Sequence, residues 1–233
     1  MQYTSPTYCP EGSNNTSTGA FELTAWDMPT LADLKAVKRK LASPGRVEAV
    51  RALNGRTFRY DPNCVLDADD QLVVIPDDGN KDVTTSLSAN LAGRWLACAG
   101  QVVDLALAIS KDTADGATLY TMPTGAALLV QGPGGYWEVT TGFTGGSSST
   151  IGLSSDQSGH TTAGDLLGGS GGDATAKLGT VGDYIEPTIG ADVAAGIILK
   201  GGKLIKFNRI TSAFTAGEGY AHVVGTLLAN PGA

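Results

Sequence analysis

Histidine, cysteine and aromatic side chains are all scarce in this chain, and each shortage removes a class of function. Only two histidines, His160 and His222, occur in 233 residues. Neither has an acid or cysteine nearby in the sequence at metal-ligand spacing, so His222, which alternates with Tyr220 and Val224, reads as a packed or edge residue. Three cysteines, Cys9, Cys64 and Cys98, are odd in number and widely separated. They fit neither a disulfide framework nor a zinc site, and point to assembly in a reducing cytoplasm. Three tryptophans within 6% aromatics are a thin stock of sugar-stacking surface for a depolymerase. No apolar run approaches the ~18 residues of a membrane-spanning helix. The opening MQYTSPTYCPEGSNNTSTG has neither the basic region nor the apolar stretch of a signal peptide, so no membrane partner is expected.

What the chain has in excess is glycine, 32 residues, roughly double the usual ~7% share. Without a collagen period, this predicts many tight turns joining short strands. Hydrophobic residues at 42% and charged residues at 17% allow a real core. The net charge is −7, which argues against nucleic acid as the main partner. Charge is unevenly placed. Eight basic residues (Lys35, Lys38, Arg39, Lys40, Arg46, Arg51, Arg56, Arg59) face one acid, Glu48, and seven acids with one lysine follow from Asp61 to Asp82. A solvated helix with its following turn accounts for the basic stretch, and docking on an acidic surface is a second use.

Three segments follow from the texture of the chain. Residues 1–27 read as a flexible arm of Ser, Thr, Asn, Pro and Gly, anchored by Phe21, Leu23 and Trp26. Residues 28–100 read as a small α+β docking module. Its helix is expected over Thr30–Leu41, capped by Thr30 with Asp33 in the capping-box position, burying Leu31, Leu34 and Leu41. Strands are expected at 46–53 and 56–60 around an Asn54-Gly55 hairpin turn and at 72–75, and Gly93-Arg94-Trp95-Leu96 ends the module. Residues 101–233 read as an antiparallel β-sandwich or jelly-roll-like domain, so the fold class is mainly β. Strands are expected at 119–122, 126–130, 136–141, 151–153, 197–200, 204–210 and 220–228. Lys200-Gly201-Gly202-Lys203 is expected to close a hairpin whose arms, apolar on both faces, pack in the core or against another subunit. An internal echo, 139–146 against 210–217, places Phe143 and Phe214 in equivalent strand-turn units.

No motif for catalysis emerges. Asp67-Ala68-Asp69-Asp70 suggests calcium, but without the glycine and terminal glutamate of an EF-hand loop an acidic turn is the better reading. The glycine-rich stretch 164–173 lacks the Gly-Lys-Ser/Thr ending of a phosphate cradle. Ser147–Thr150 has no nucleophile elbow. Glu138, Asp156, Asp183 and Glu186 are scattered carboxylates that a glycosidase could in principle pair. In Gly132-Pro133-Gly134-Gly135-Tyr136-Trp137, alternation turns Trp137 and Val139 inward and Glu138 outward, against the alternative of an exposed aromatic tip.

Two stretches resemble phage proteins. Residues 31–96, through Leu31-Ala32-Asp33-Leu34-Lys35, Gly55-Arg56-Thr57-Phe58-Arg59-Tyr60-Asp61, Asp69-Asp70, Val73-Val74-Ile75-Pro76 and Gly93-Arg94-Trp95-Leu96, resemble a module near the start of phage tail fibres and tailspikes. Residues 119–229, through Leu119-Tyr120-Thr121-Met122-Pro123-Thr124-Gly125-Ala126, Val139-Thr140-Thr141-Gly142-Phe143 and the final strand, resemble the β-rich domain of head-decoration or fibre proteins. The resemblance implies a structural virion protein, commonly trimeric; with the missing catalytic motifs and the cysteine pattern, the expectation is a protein with no enzymatic activity and no cofactor, assembled in the host cytoplasm. A capsid decoration or cement protein (head fibre) is the first expectation, and a tail fibre, baseplate or adaptor protein the alternative. The implied partners are the chain itself and the major capsid protein or another virion protein. Phe21, Trp26, Lys35, Arg39, Ile198 and Ile205 are the candidate contacts.

Overall fold

The computed structural model describes residues 26–28, 30–35, 50–53, 56–61, 63–76, 93–131, 134–146, 148–168, 172–182, 184–185 and 195–232. They fall into two compact units, one within 1–101 and 230–233, the other within 102–229. The fold is mainly β with antiparallel sheets and, among the described residues, one short α-helix.

The first unit holds β1 (Trp26–Met28), α1 (Leu31–Lys35), β2 (Val50–Leu53), β3 (Arg56–Asp61), β4 (Val73–Val74) and β5 (Arg94–Ala97). Its sheet runs β1-β2-β3-β5-β4, with β1 parallel to β2 and the other pairs antiparallel. Trp26 and Asp27 find backbone partners in Arg51 and Ala52 and so belong to the sheet. The capping box at the start of α1 is present. The Thr30 N–H donates to Asp33 Oδ2 at 3.0 Å and the Asp33 N–H to Thr30 Oγ1 at 3.2 Å. The expected continuation of this helix to Leu41, the start of the 46–53 strand and the Asn54-Gly55 turn lie outside the described residues. Alternation on β3 buries Phe58 and Tyr60 and exposes Arg59. Tyr60 packs on its register partner Trp95 with ring centroids 5.2 Å apart. Arg94 is buried, and its guanidinium is kept solvated by the carbonyls of Leu66 and Gly93 at 2.8 and 2.9 Å. The acidic turn is an Asx cap: Asp69 Oδ1 accepts from the N–H groups of Gln71, Leu72 and Val73 at 2.7–2.8 Å.

The second unit is β-sandwich-like. Its elements are β6 (Val102–Ser110), β7 (Thr118–Thr121), β8 (Ala127–Val130), β9 (Gly135–Gly145), β10 (Thr150–Ser155), β11 (Asp173–Ala174), β12 (Tyr184–Ile185), β13 (Ile197–Lys200), β14 (Leu204–Ile210) and β15 (Phe214–Ala229). One sheet runs β11-β10-β14-β7; the larger runs β12-β9-β15-β8-β13, with β6 also on β15. Over Glu218–Val223 the long β15 pairs β9 on one side and β6 on the other. Alternation then decides the faces. Val103, Leu105, Leu107, Ile109, Leu128, Val130, Trp137, Val139, Ala221 and Val223 are buried on the larger sheet, and Tyr120, Ile151, Leu153, Ile205 and Phe207 on the smaller. Phe143 and Phe214, the echoed pair, meet edge to face at 5.1 Å where β9 and β15 pair.

The expected hairpin at 200–203 is a crossover. The turn closes, with the Lys203 N–H donating to the Lys200 carbonyl at 3.1 Å. However, β13 pairs β8, while β14 pairs β10 and β7 in the other sheet. Gly201 lies against the backbone of Pro123–Gly125, closer than any Cβ would allow, and this contact carries the chain from one sheet to the other. Strands β1, β5, β6, β11 and β12 are not among the strands expected from the sequence, and β9 and β15 run longer than expected.

Candidate functional site

On the outward face of the larger sheet, four side chains from three strands close around one imidazole. His222 on β15 is in register with Ala106 on β6 and Tyr136 on β9. Asp104 lies one step along the same face of β6, opposite Val224, and Glu138 one step along β9, opposite Tyr220. The His222 Nδ1 is 2.9 Å from Asp104 Oδ1 and its Nε2 is 3.1 Å from Glu138 Oε2. Tyr136 stacks on the imidazole, with centroids 4.2 Å apart and planes within 8°, and its hydroxyl donates to Asp104 Oδ2 at 3.0 Å. Tyr220 stands 6.2 Å away, tilted.

Ionised carboxylates accept and do not donate, so both ring nitrogens must carry hydrogen to make both bonds. A neutral imidazole would turn a lone pair toward one carboxylate oxygen. His222 is buried, which by itself disfavours the charged ring and lowers its pKa. The hydrogen bond and charge of Asp104, then those of Glu138, outweigh that penalty and raise the pKa above its ordinary value. The two contacts and the raised pKa both favour the imidazolium form of the ring between the two carboxylates. In that form both nitrogens are engaged and the ring offers no lone pair to a proton, a substrate or a metal. What it does is tie β6 and β9 to the strand between them.

The other candidates are dispersed. Lys35 ends α1 and pairs with Asp70 at 2.7 Å. Trp26 lies in β1; Phe21 and Arg39 fall outside the described residues. Ile198 is 43% exposed on β13, whereas Ile205 is fully buried in the smaller sheet, which removes it from the contact candidates. Trp137 is fully buried, so the exposed-tip alternative fails. Among the carboxylates considered for hydrolysis, Glu138 serves His222 and Asp156 accepts from the Leu204 N–H at 2.8 Å; Asp183 and Glu186 fall outside the described residues. Among the described residues no group of three or more His, Cys, Asp or Glu side chains is placed to hold a metal ion. The cluster around His222 escaped sequence reading because its acids lie 118 and 84 residues away. Only strand register brings them together.

The same outward face carries an apolar row. Ile198, Leu129, Thr226 and Val102 are successive cross-strand partners on β13, β8, β15 and β6. Val102 is 65% exposed. Comparison with family models, curated proteins and solved structures found no match to this chain.

Proposed function

We propose that this chain is a non-catalytic structural protein of a tailed-phage virion, acting as a capsid decoration or cement protein (a head fibre). The observation that carries the non-catalytic reading is the placement of His222 between Asp104 and Glu138. The imidazole set among carboxylates has both nitrogens committed to holding strands together. The virion reading rests on the likeness of residues 31–96 and 119–229 to phage fibre and decoration proteins. A rigid, turn-rich β unit with an exposed apolar row at Ile198 and Val102 suits contacts repeated around a symmetric particle, where weak interactions add through effective concentration. On this reading the chain assembles in the host cytoplasm as a homotrimer and docks on the major capsid protein or another virion protein, without cofactor.

A tail fibre, baseplate or adaptor role is the second reading, favoured by the likeness of residues 31–96 to the tail-fibre and tailspike module. Gold-labelled antibody against the chain on intact particles separates the two. Label on heads is the expected result. Label confined to tails would replace the first reading with the second, and unlabelled particles would overturn both.

A further inference from the structure

We propose that the Asp104–His222–Glu138 cluster is a proton-dependent clasp, closing β6 and β9 onto β15 while the imidazole is doubly protonated and loosening them when it gives up a proton. The geometry requires this dependence. One ring bridges two carboxylates on different strands, at 2.9 and 3.1 Å, and a ring with one N–H can serve only one of them. The freed carboxylate would then face a lone pair at hydrogen-bond distance, a repulsive arrangement relieved when that carboxylate, 39% exposed on Asp104 and 33% on Glu138, turns to water and the side-chain tie between strands is lost. Asp104 keeps the Tyr136 hydroxyl, so the β9–β6 tie through Tyr136 outlasts the tie through His222.

Among the described residues, the charged groups on the strands around the ring are acids. β6 presents Asp104; β9 presents Tyr136 and Glu138; β15 itself adds Tyr220 and, further along, Glu218. Tyr184 of β12 is the register partner of Glu138. The proton is held more tightly in the folded chain than in the unfolded one. Its stabilising contribution is therefore whole below about pH 6.5, the ordinary value for histidine, and is lost as pH rises through the raised folded value.

The presence of only two histidines makes the test clean. Proton NMR of the full chain between pH 5.5 and 9.5 follows both imidazole Cε1 protons, and His160→Gln identifies the His222 signal by elimination. The expected result is a His222 midpoint above 6.5 that moves down in both Asp104→Asn and Glu138→Gln. In parallel, the thermal midpoints of the wild type and His160→Gln decline through that interval, and that of His222→Gln does not. A wild-type His222 midpoint at or below 6.5 would overturn the clasp. So would a decline of the same steepness in His222→Gln, or, should that variant not fold, in both carboxylate variants.

Discussion

The indole N–H of Trp137 donates to Asp173 Oδ2 across 2.9 Å, and both residues are fully buried although 36 positions separate them. Lys177, four residues on in the 3-10 helix Thr175–Leu178, holds the other carboxylate oxygen at 2.9 Å. Asp173, the last residue of the stretch that a phosphate-cradle reading would have made a ligand loop, is an acid in the core. Asp173→Ala leaves the indole donor buried without its acceptor and should cost about 1–3 kcal/mol. Asp173→Asn, which keeps an acceptor oxygen, should cost less. Urea titrations followed by tryptophan emission measure both. Equal stability of the alanine variant and the wild type would remove the bond from the account.

Phe143 and Phe214 should couple. Their edge-to-face contact predicts an interaction of about 0.5–1.5 kcal/mol in a double-mutant cycle of Phe143→Leu and Phe214→Leu. Strict additivity would mean that the two echoed segments are alike in sequence only.

Gly135 opens β9 with φ +151°, and a Cβ there would collide with the carbonyl oxygen of His222 on the paired strand. Since that oxygen is backbone, nothing can swing aside. Gly135→Ala should cost more than about 3 kcal/mol. Gly100, at φ +85° with nothing within 4 Å of an added Cβ, is the control. Alanine there should cost only the left-handed strain of about 1–2 kcal/mol. Thermal midpoints of the two variants decide it, and similar losses would contradict the packing at Gly135.

Asp69→Ala should free the amides of Gln71, Leu72 and Val73, destabilising the first unit by roughly 1–2 kcal/mol, the scale of a lost side-chain cap. Hydrogen exchange resolves the effect by position. Faster exchange at those three amides, with no change over 102–229, is expected.

Much of the strand pattern is legible in the sequence because glycine turns bracket alternating segments. β13 and β14 occur at the apolar runs either side of the Gly-Gly turn, and Trp137 turns inward as its spacing from Val139 predicts. β6 is the instructive failure. Its inward residues Val103, Leu105, Leu107 and Ile109 alternate with Val102, Asp104, Ala106 and Ala108, so its outward face carries one charge and otherwise small apolar residues. Period-two polarity is therefore nearly erased. The crossover at 200–203 was hidden for another reason. A Gly-Gly turn specifies a reversal of direction but not which neighbour each arm then pairs with. His222 shows the same limit at the site. Its alternation with Tyr220 and Val224 is visible, but nothing local says which strands will flank it or that both will bring an acid.

The central claim is that the chain is a repeated structural part of a virion. Quantitative peptide mass spectrometry of density-purified tailed-phage particles encoding this chain, calibrated against the major capsid protein, tests it most directly. The account predicts many copies per particle, in a fixed ratio to the capsid protein that repeated purification does not change. A chain found only in the lysate, or lost from particles on repurification, would contradict it.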